Sequence, residues 1–289
     1  MSPIDAQPRT GRAARAARAS RLARQLIALG LVLLAATACS AEDLPRFGMP
    51  ESATAQGERI AHLWRGGWIA AWIVGALVWG LILVAIIAYR RRSDALPTQT
   101  RYNVPIEALY IIAPFIIVVV FFFFTARDET KLMALPADPD HTINVVGHQW
   151  SWSFNYVDGD VYEAGTPARR PTLYLPKDQT VLFELTSTDV VHSFWVPNFL
   201  FKMDVIPGRQ NEFAITPTRE GTFAGKCAEL CGFDHSRMLF TVKVVSPQEY
   251  EAHLAELRAR GQTGQLPKGI LPAVPIEQGA DSAVEGSTQ

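Results

Sequence analysis

Cys227-Ala-Glu-Leu-Cys231-Gly-Phe-Asp-His235-Ser-Arg-Met238 lies between two short runs that read as β-strands, Gly221 to Phe223 and Met238 to Val245. Four side-chain donors sit here in a C-x3-C-x3-H-x2-M arrangement, with Glu229 between the cysteines and His192 35 positions before the first of them. That is a ligand set for a soft, electron-transferring metal. Thiolate and thioether favour Cu(I), and imidazole suits both copper oxidation states. Structural zinc uses four Cys or His ligands and no thioether, while a mononuclear blue-copper site needs only one cysteine. Two thiolates in one loop can instead bridge two copper ions, with a histidine capping each and Met238 as a weak further ligand. A Cys227 to Cys231 disulfide is the other reading open to two exported cysteines. Taken singly, Met238 reads as a core filler and His192 as a polar residue at a strand end.

Around this loop, residues 141–246 are β-rich and broken by Gly and Pro. Thr142 to Gly147, Thr172 to Leu175, Thr180 to Thr186 and Asn211 to Thr216 add four more strand-like runs, which predicts a sandwich or Greek-key barrel. Pro247 to Arg260 then offers Tyr250, Leu254 and Leu257 on one helical face. Residues 261–289 are a Gly, Pro and polar tail that reads as disordered.

Upstream the chain changes character. Trp68 to Tyr89 is 22 residues without a charge, about 33 Å of helix against a hydrocarbon core of about 30 Å. Ala108 to Ala126 is a second uncharged run with Pro114 inside it, tolerable where neighbours satisfy the freed carbonyl. Residues 68–126 therefore read as a two-helix transmembrane hairpin, followed by a linker at 127–140. Arg90, Arg91, Arg92 and Arg101 fall between the spans, so that loop is cytoplasmic and the β-rich region is exported. Residues 1–39 read as a signal peptide, with arginines from Arg9 to Arg24, an apolar stretch from Gln25 to Ala36 and small residues before Cys39. Cys39 is also where a lipoprotein-type cleavage and acylation would fall. Residues 40–67 are then an exported N-terminal segment. The formal net charge of −1 on 289 residues rules little in or out; the arginines cluster at the extreme N-terminus and no basic aromatic face follows, so nothing suggests nucleic-acid binding.

The metal-loop run resembles that of cytochrome c oxidase subunit II from bacteria. His192, in Asp189-Val-Val-His192-Ser-Phe-Trp195-Val-Pro197, resembles that family's upstream copper histidine. Gly147-His-Gln-Trp150-Ser-Trp152-Ser-Phe154 and Lys202-Met-Asp204-Val-Ile-Pro207-Gly208-Arg209 are similar to two further family stretches, and the likeness spans about Ala61 to Pro247. It implies a cupredoxin-like fold carrying a dinuclear copper centre, CuA. The implied copper ligands are His192, Cys227, Cys231, His235, Met238 and the backbone carbonyl of Glu229. The Glu229 carboxylate would serve a magnesium site shared with subunit I, against the bland reading of a solvated loop carboxylate. Trp150 would take up electrons, whereas as a plain strand aromatic it would share a core face with Trp152. Glu107 corresponds to a glutamate at the mouth of a proton-conducting channel, though a carboxylate at a membrane boundary can also simply snorkel.

Implied partners are subunit I and other oxidase subunits in the plasma membrane, and a c-type cytochrome as donor. The reaction implied is oxygen reduction to water coupled to proton translocation. The chain contains no Cys-x-x-Cys-His, so the donor haem belongs to a separate protein. Leu239 stands where the family often has Pro, and Thr188 where an acidic residue is common, which puts an acidic docking rim in doubt. A quinol-oxidase subunit would keep the fold but lack the copper ligands, and the full ligand set argues against it. A membrane-tethered copper carrier, or a nitrous oxide reductase-like copper domain, suits the two spans and Glu107 less well.

Overall fold

The two uncharged runs lie in two long helices, α1 (Ala55–Ala88) and α2 (Val104–Leu132). The computed structural model describes residues 24–28, 30, 44–92, 94, 96 and 98–268. Both helices extend beyond the expected spans. α1 starts 13 residues before Trp68 because Thr54 caps it, its Oγ1 accepting from Gly57 N at 3.0 Å. At 34 residues it is about 51 Å long, so its first turns, with Glu58, Arg59 and Arg65, stand clear of the hydrocarbon. α2 starts at an Asn103 cap with Pro105 in its first turn, and it runs on through Arg127 to Leu132, into what reads from sequence as linker. Trp64, Trp68 and Trp72 contact one another ring to ring along one side of α1, as aromatic residues do at a membrane interface.

Among the described residues ten strands follow: β1 (His141–His148), β2 (Ser151–Tyr156), β3 (Val161–Ala164), β4 (Thr172–Pro176), β5 (Val181–Ser187), β6 (His192–Val196), β7 (Phe201–Val205), β8 (Asn211–Ile215), β9 (Gly221–Cys227) and β10 (Leu239–Val245). They form two five-stranded sheets, in the orders β3-β2-β1-β5-β8 and β4-β10-β9-β6-β7. Within them β1 pairs β5, and β10 pairs β4, in parallel; the other pairings are antiparallel. The fold is the cupredoxin-like sandwich that the resemblance implies. Alternate residues of both sheets fill its interior: Phe183 stacks on Phe213 within one sheet and Phe194 on Phe240 within the other, each at 4.9 Å, and Trp152 meets Phe240 edge-on across the two sheets at 5.5 Å. Gly225 makes this possible, because a Cβ there would enter the Phe240 ring.

β2, β3, β6 and β7 are strands that the pattern reading did not include. β2 is buried along its whole length, although Ser151-Trp152-Ser153-Phe154-Asn155-Tyr156 alternates polar and apolar residues in sequence, because its outer, polar face is covered by the chain's own C-terminal segment. That segment follows α3 (Pro247–Ala259), which buries Tyr250, His253, Leu254 and Leu257. Residues 261–268, expected to be disordered, instead lie along β3 and β2. Gln262 O accepts from Tyr162 N at 3.1 Å, and Leu266 exchanges two 2.9 Å hydrogen bonds with the Asn155 side chain. Polar composition misled here because polar side chains on the sheet supply the partners. In the signal-peptide region, residues 24–28 are helical; the rest of that reading, Cys39 included, and the tail from 269 onward lie outside the described residues.

Candidate metal centre

Three elements converge on the loop between β9 and β10. β6 and β9 are neighbours, with Phe194 opposite Cys227, which sets His192 at the start of β6 beside Cys227 at the end of β9. Cys227 N donates to Met238 O at 3.0 Å and closes the loop at its base. Inside it, Gly232 has φ +121°, a conformation glycine adopts without steric cost, and a 3₁₀ turn at His235–Arg237 folds His235 back over the cysteines.

The six residues expected as ligands therefore meet. The Sγ atoms of Cys227 and Cys231 are 3.9 Å apart, well beyond the ~2.05 Å of a disulfide, so both are free thiols. His192 Nδ1 lies 3.9 Å from Cys227 Sγ, and His235 Nδ1 lies 3.6 Å from Cys231 Sγ. Met238 Sδ stands 3.7 Å from Cys231 Sγ, while Glu229 O stands 3.2 Å from Cys227 Sγ. Each sulfur thus has one imidazole and one weak donor beside it, the distribution that two thiolate-bridged ions require. His192, Cys227, Cys231 and Met238 are all buried. The Glu229 side chain is exposed, so only its carbonyl belongs to the cluster.

The surroundings favour the ligating forms. Burial pushes the Cys227 thiol up, but the His192 imidazole and backbone groups of Glu229 and Ser193 outweigh it and bring the thiol down to about 7. Cys231 is raised to about 12 by burial and by the neighbouring Cys227 charge, the pattern of two thiols that ionise together only when a cation joins them. His192 Nε2 is 2.8 Å from Asp189 Oδ1. A proton on Nε2 leaves Nδ1 with a lone pair aimed at the cluster. A set of soft sulfurs and imidazoles of this kind fits copper better than zinc.

Several contributors lie outside the predicted set. Asp189 also accepts from Gln149 N, and Gln149 Nε2 donates to Cys231 O at 2.7 Å. Gly147 gives His192 its room: a Cβ there would stand 3.0 Å from the imidazole Cδ2. Glycine inside a strand is a recognisable sign of close approach.

The structure separates Trp150 and Trp152, which parity would put on one face. Trp150 sits in the turn before β2, half-buried against the loop, its Nε1 donating to Cys231 O at 3.2 Å. Trp152 is fully buried and donates to Met238 O at 3.4 Å. Glu107 lies far along the chain from the cluster, in the first turn of α2, where its Oε1 accepts from Asn103 N at 3.0 Å.

Two family models match the chain: the transmembrane domain of cytochrome c oxidase subunit II over residues 43–126, and the periplasmic domain of the same subunit over residues 169–245. The chain is 53% identical to the probable cytochrome c oxidase subunit 2 of Streptomyces avermitilis over 286 residues, covering 85% of this chain and 90% of that one. It is 32% identical to cytochrome c oxidase subunit 2 of Mycobacterium tuberculosis, covering 81% of each. Among solved structures, the periplasmic domain of cytochrome oxidase subunit II of Bradyrhizobium japonicum matches at 30% identity. That match covers 44% of this chain and 99% of that one, with a TM-score of 0.40.

Proposed function

The chain belongs to the cytochrome c oxidase subunit II family, and on that premise we propose that it is the electron-accepting subunit of a haem-copper oxidase in the plasma membrane. His192, Cys227, Cys231, His235, Met238 and the Glu229 carbonyl would hold a dinuclear copper centre, which would supply one-electron transfer from a c-type cytochrome to haem in subunit I, where oxygen is reduced to water with proton translocation. The observation that carries this reading is the pair of free thiols 3.9 Å apart with one imidazole beside each.

The protein's own part is to hold those donors still. His192 and Cys227 belong to adjacent strands of one sheet, and Met238 to the base of the next, so the ligands barely shift when the charge of the centre changes. Asp189 keeps His192 in one tautomer and orientation. Trp150 is the aromatic for electron uptake, supported by its partial exposure and its hydrogen bond to the Cys231 carbonyl. The exposed Glu229 carboxylate would serve as a ligand to a magnesium ion shared with subunit I, and Glu107 would admit protons at the cytoplasmic end of α2. Residues 1–39 serve as the export signal.

The full-length chain in detergent, loaded with copper, tests the reading by metal analysis and electron paramagnetic resonance. Two coppers per chain sharing one unpaired electron are expected, and Cys227→Ser should abolish that signature while the domain still folds. One copper per chain, or preferential zinc, rejects the assignment. In the assembled oxidase, Trp150→Ala should slow electron uptake with copper content intact; an equal rate would make Trp150 structural. Glu229→Gln should lower bound magnesium without changing copper, and unchanged magnesium would return Glu229 to a solvated loop carboxylate.

A further inference from the structure

A cleft opens between α1 and α2 at their extracytoplasmic ends. Its inner part, about 420 Å³, is walled by Leu63, Gly66, Ala70, Val120, Phe121 and Phe124. Its mouth continues into a second cavity of about 470 Å³ bordered by Glu58, Arg59, His62, Arg127 and Asp128. Going along the membrane normal, the lining therefore changes from apolar to charged where the uncharged run of α2 ends at Ala126. Gly66 lines the groove, and a Cβ there would meet no atom within 4 Å, so a long side chain at this position would extend into the open space.

The mouth is built around one buried carboxylate. Asp128 Oδ1 accepts from Arg127 Nε at 3.0 Å and Nη2 at 2.9 Å, and Arg59 Nη1 from α1 lies 3.6 Å away. Each guanidinium carries five N–H donors, so two of them hold more than Asp128 accepts, and both side chains remain partly exposed at 41% and 43%. Arg127 is also held over the top of the groove by the Phe124 ring, 4.9 Å from its centroid. Glu58 lies in the first turn of α1, where the helix dipole offsets its charge.

The occupant must be amphiphilic, with an anionic head at the arginines and a slender apolar tail between the helices. Another helix, 10–12 Å across, would fill about 420 Å³ in roughly one turn, which is too little for a membrane span. We propose that this cleft binds one glycerophospholipid of the outer leaflet, its phosphodiester on Arg59 and Arg127 and one acyl chain along Gly66, Ala70 and Val120.

Native mass spectrometry of the full-length chain in detergent, titrated with phosphatidylglycerol or with diacylglycerol of the same chains, tests this. One phosphatidylglycerol per chain is expected, retained at least about tenfold better than diacylglycerol, because the arginine hydrogen bonds are charge-assisted. Gly66→Leu should expel the lipid while copper loading of the β domain is unchanged. Arg59→Gln should remove the headgroup preference. Retention by Gly66→Leu equal to wild type, or no preference for the phosphodiester, overturns the proposal. In the assembled oxidase, a photoreactive label on Ala70→Cys should cross-link to phospholipid, and cross-linking to a neighbouring subunit instead would overturn it too.

Discussion

Asp189 accepts from His192 Nε2 at 2.8 Å and from the backbone N–H groups of Gln149 and Val190, each at 2.6 Å. One carboxylate thereby fixes the His192 imidazole and the turn carrying Gln149 and Trp150, whose side chains both reach back to the Cys231 carbonyl. Burial raises the Asp189 carboxyl, but these donors outweigh it and hold it below its ordinary value. Asp189→Asn should therefore weaken copper retention about ten- to hundredfold, as loss of an outer-shell partner does, measured by competition with a chelator. The melting temperature of the β domain should change little. Wild-type retention would mean that β6 alone orients the imidazole. The ligands were legible in the sequence because most of them fall within twelve residues. Gln149 and Asp189 were not, since Gln149 acts on a carbonyl 82 positions away and no local pattern marks such a pair.

At the level of elements, the pattern reading found β9 and β10 and missed β6, whose His-Ser-Phe-Trp-Val has no alternation and is almost wholly buried; it also missed β2, whose Ser-Trp-Ser-Phe-Asn-Tyr does alternate. The C-terminal helix was legible from Tyr250, Leu254 and Leu257, but not the fourth buried residue, His253. Its ring stacks on Tyr174 at 3.7 Å, and its pKa is lowered to about 4, chiefly by burial, with Arg260 and Lys243 adding to the effect and Glu256 opposing it. The unfolded chain binds a proton at an ordinary 6.5, so unfolding takes one up between pH 6.5 and 4. Stability accordingly falls as pH falls through that window, by at most about 3 kcal/mol. His253→Phe, which keeps the stack, should flatten that part of the melting-temperature profile; an unchanged slope would assign it to other groups. At the other end of the chain, Asn103 and Glu107 cap α2 reciprocally, Asn103 Oδ1 accepting from Ile106 N at 3.4 Å. Glu107→Gln preserves the acceptor and removes the ionisable group. It should lower oxidase turnover with assembly intact, whereas full turnover in Glu107→Gln and loss only in Glu107→Ala would make Glu107 a cap and nothing more.

For the whole molecule, the decisive feature is how the sandwich is fastened to the membrane hairpin. The strand-like segment before α1 is stitched to the end of the sandwich opposite His192: Ala53 N donates to Asn198 O at 2.8 Å, Thr218 N to Ala53 O at 2.9 Å, and Thr216 N to Gln56 Oε1 at 2.9 Å. Arg219 adds an ion pair to Glu51 at 3.5 Å. None of these residues carries a motif, and the sequence reading left 40–67 as an undivided exported segment. The one local sign is Gly57, where a Cβ would stand 2.8 Å from Phe199 O and collide with Ser52 Oγ. Gly57→Val should push residues 51–54 off the sandwich at a cost of about 1–3 kcal/mol. The metal loop lies beyond the far end of β6, about 17 Å away at 3.3 Å per residue, so copper content and its resonance spectrum should persist. What should fail is the fixed bearing of the sandwich on the hairpin: proteolysis near Ser52 should accelerate and electron transfer into the assembled oxidase should slow. If Gly57→Val leaves both at wild-type rates, the orientation of the copper domain is set by the partner subunits and not by this junction.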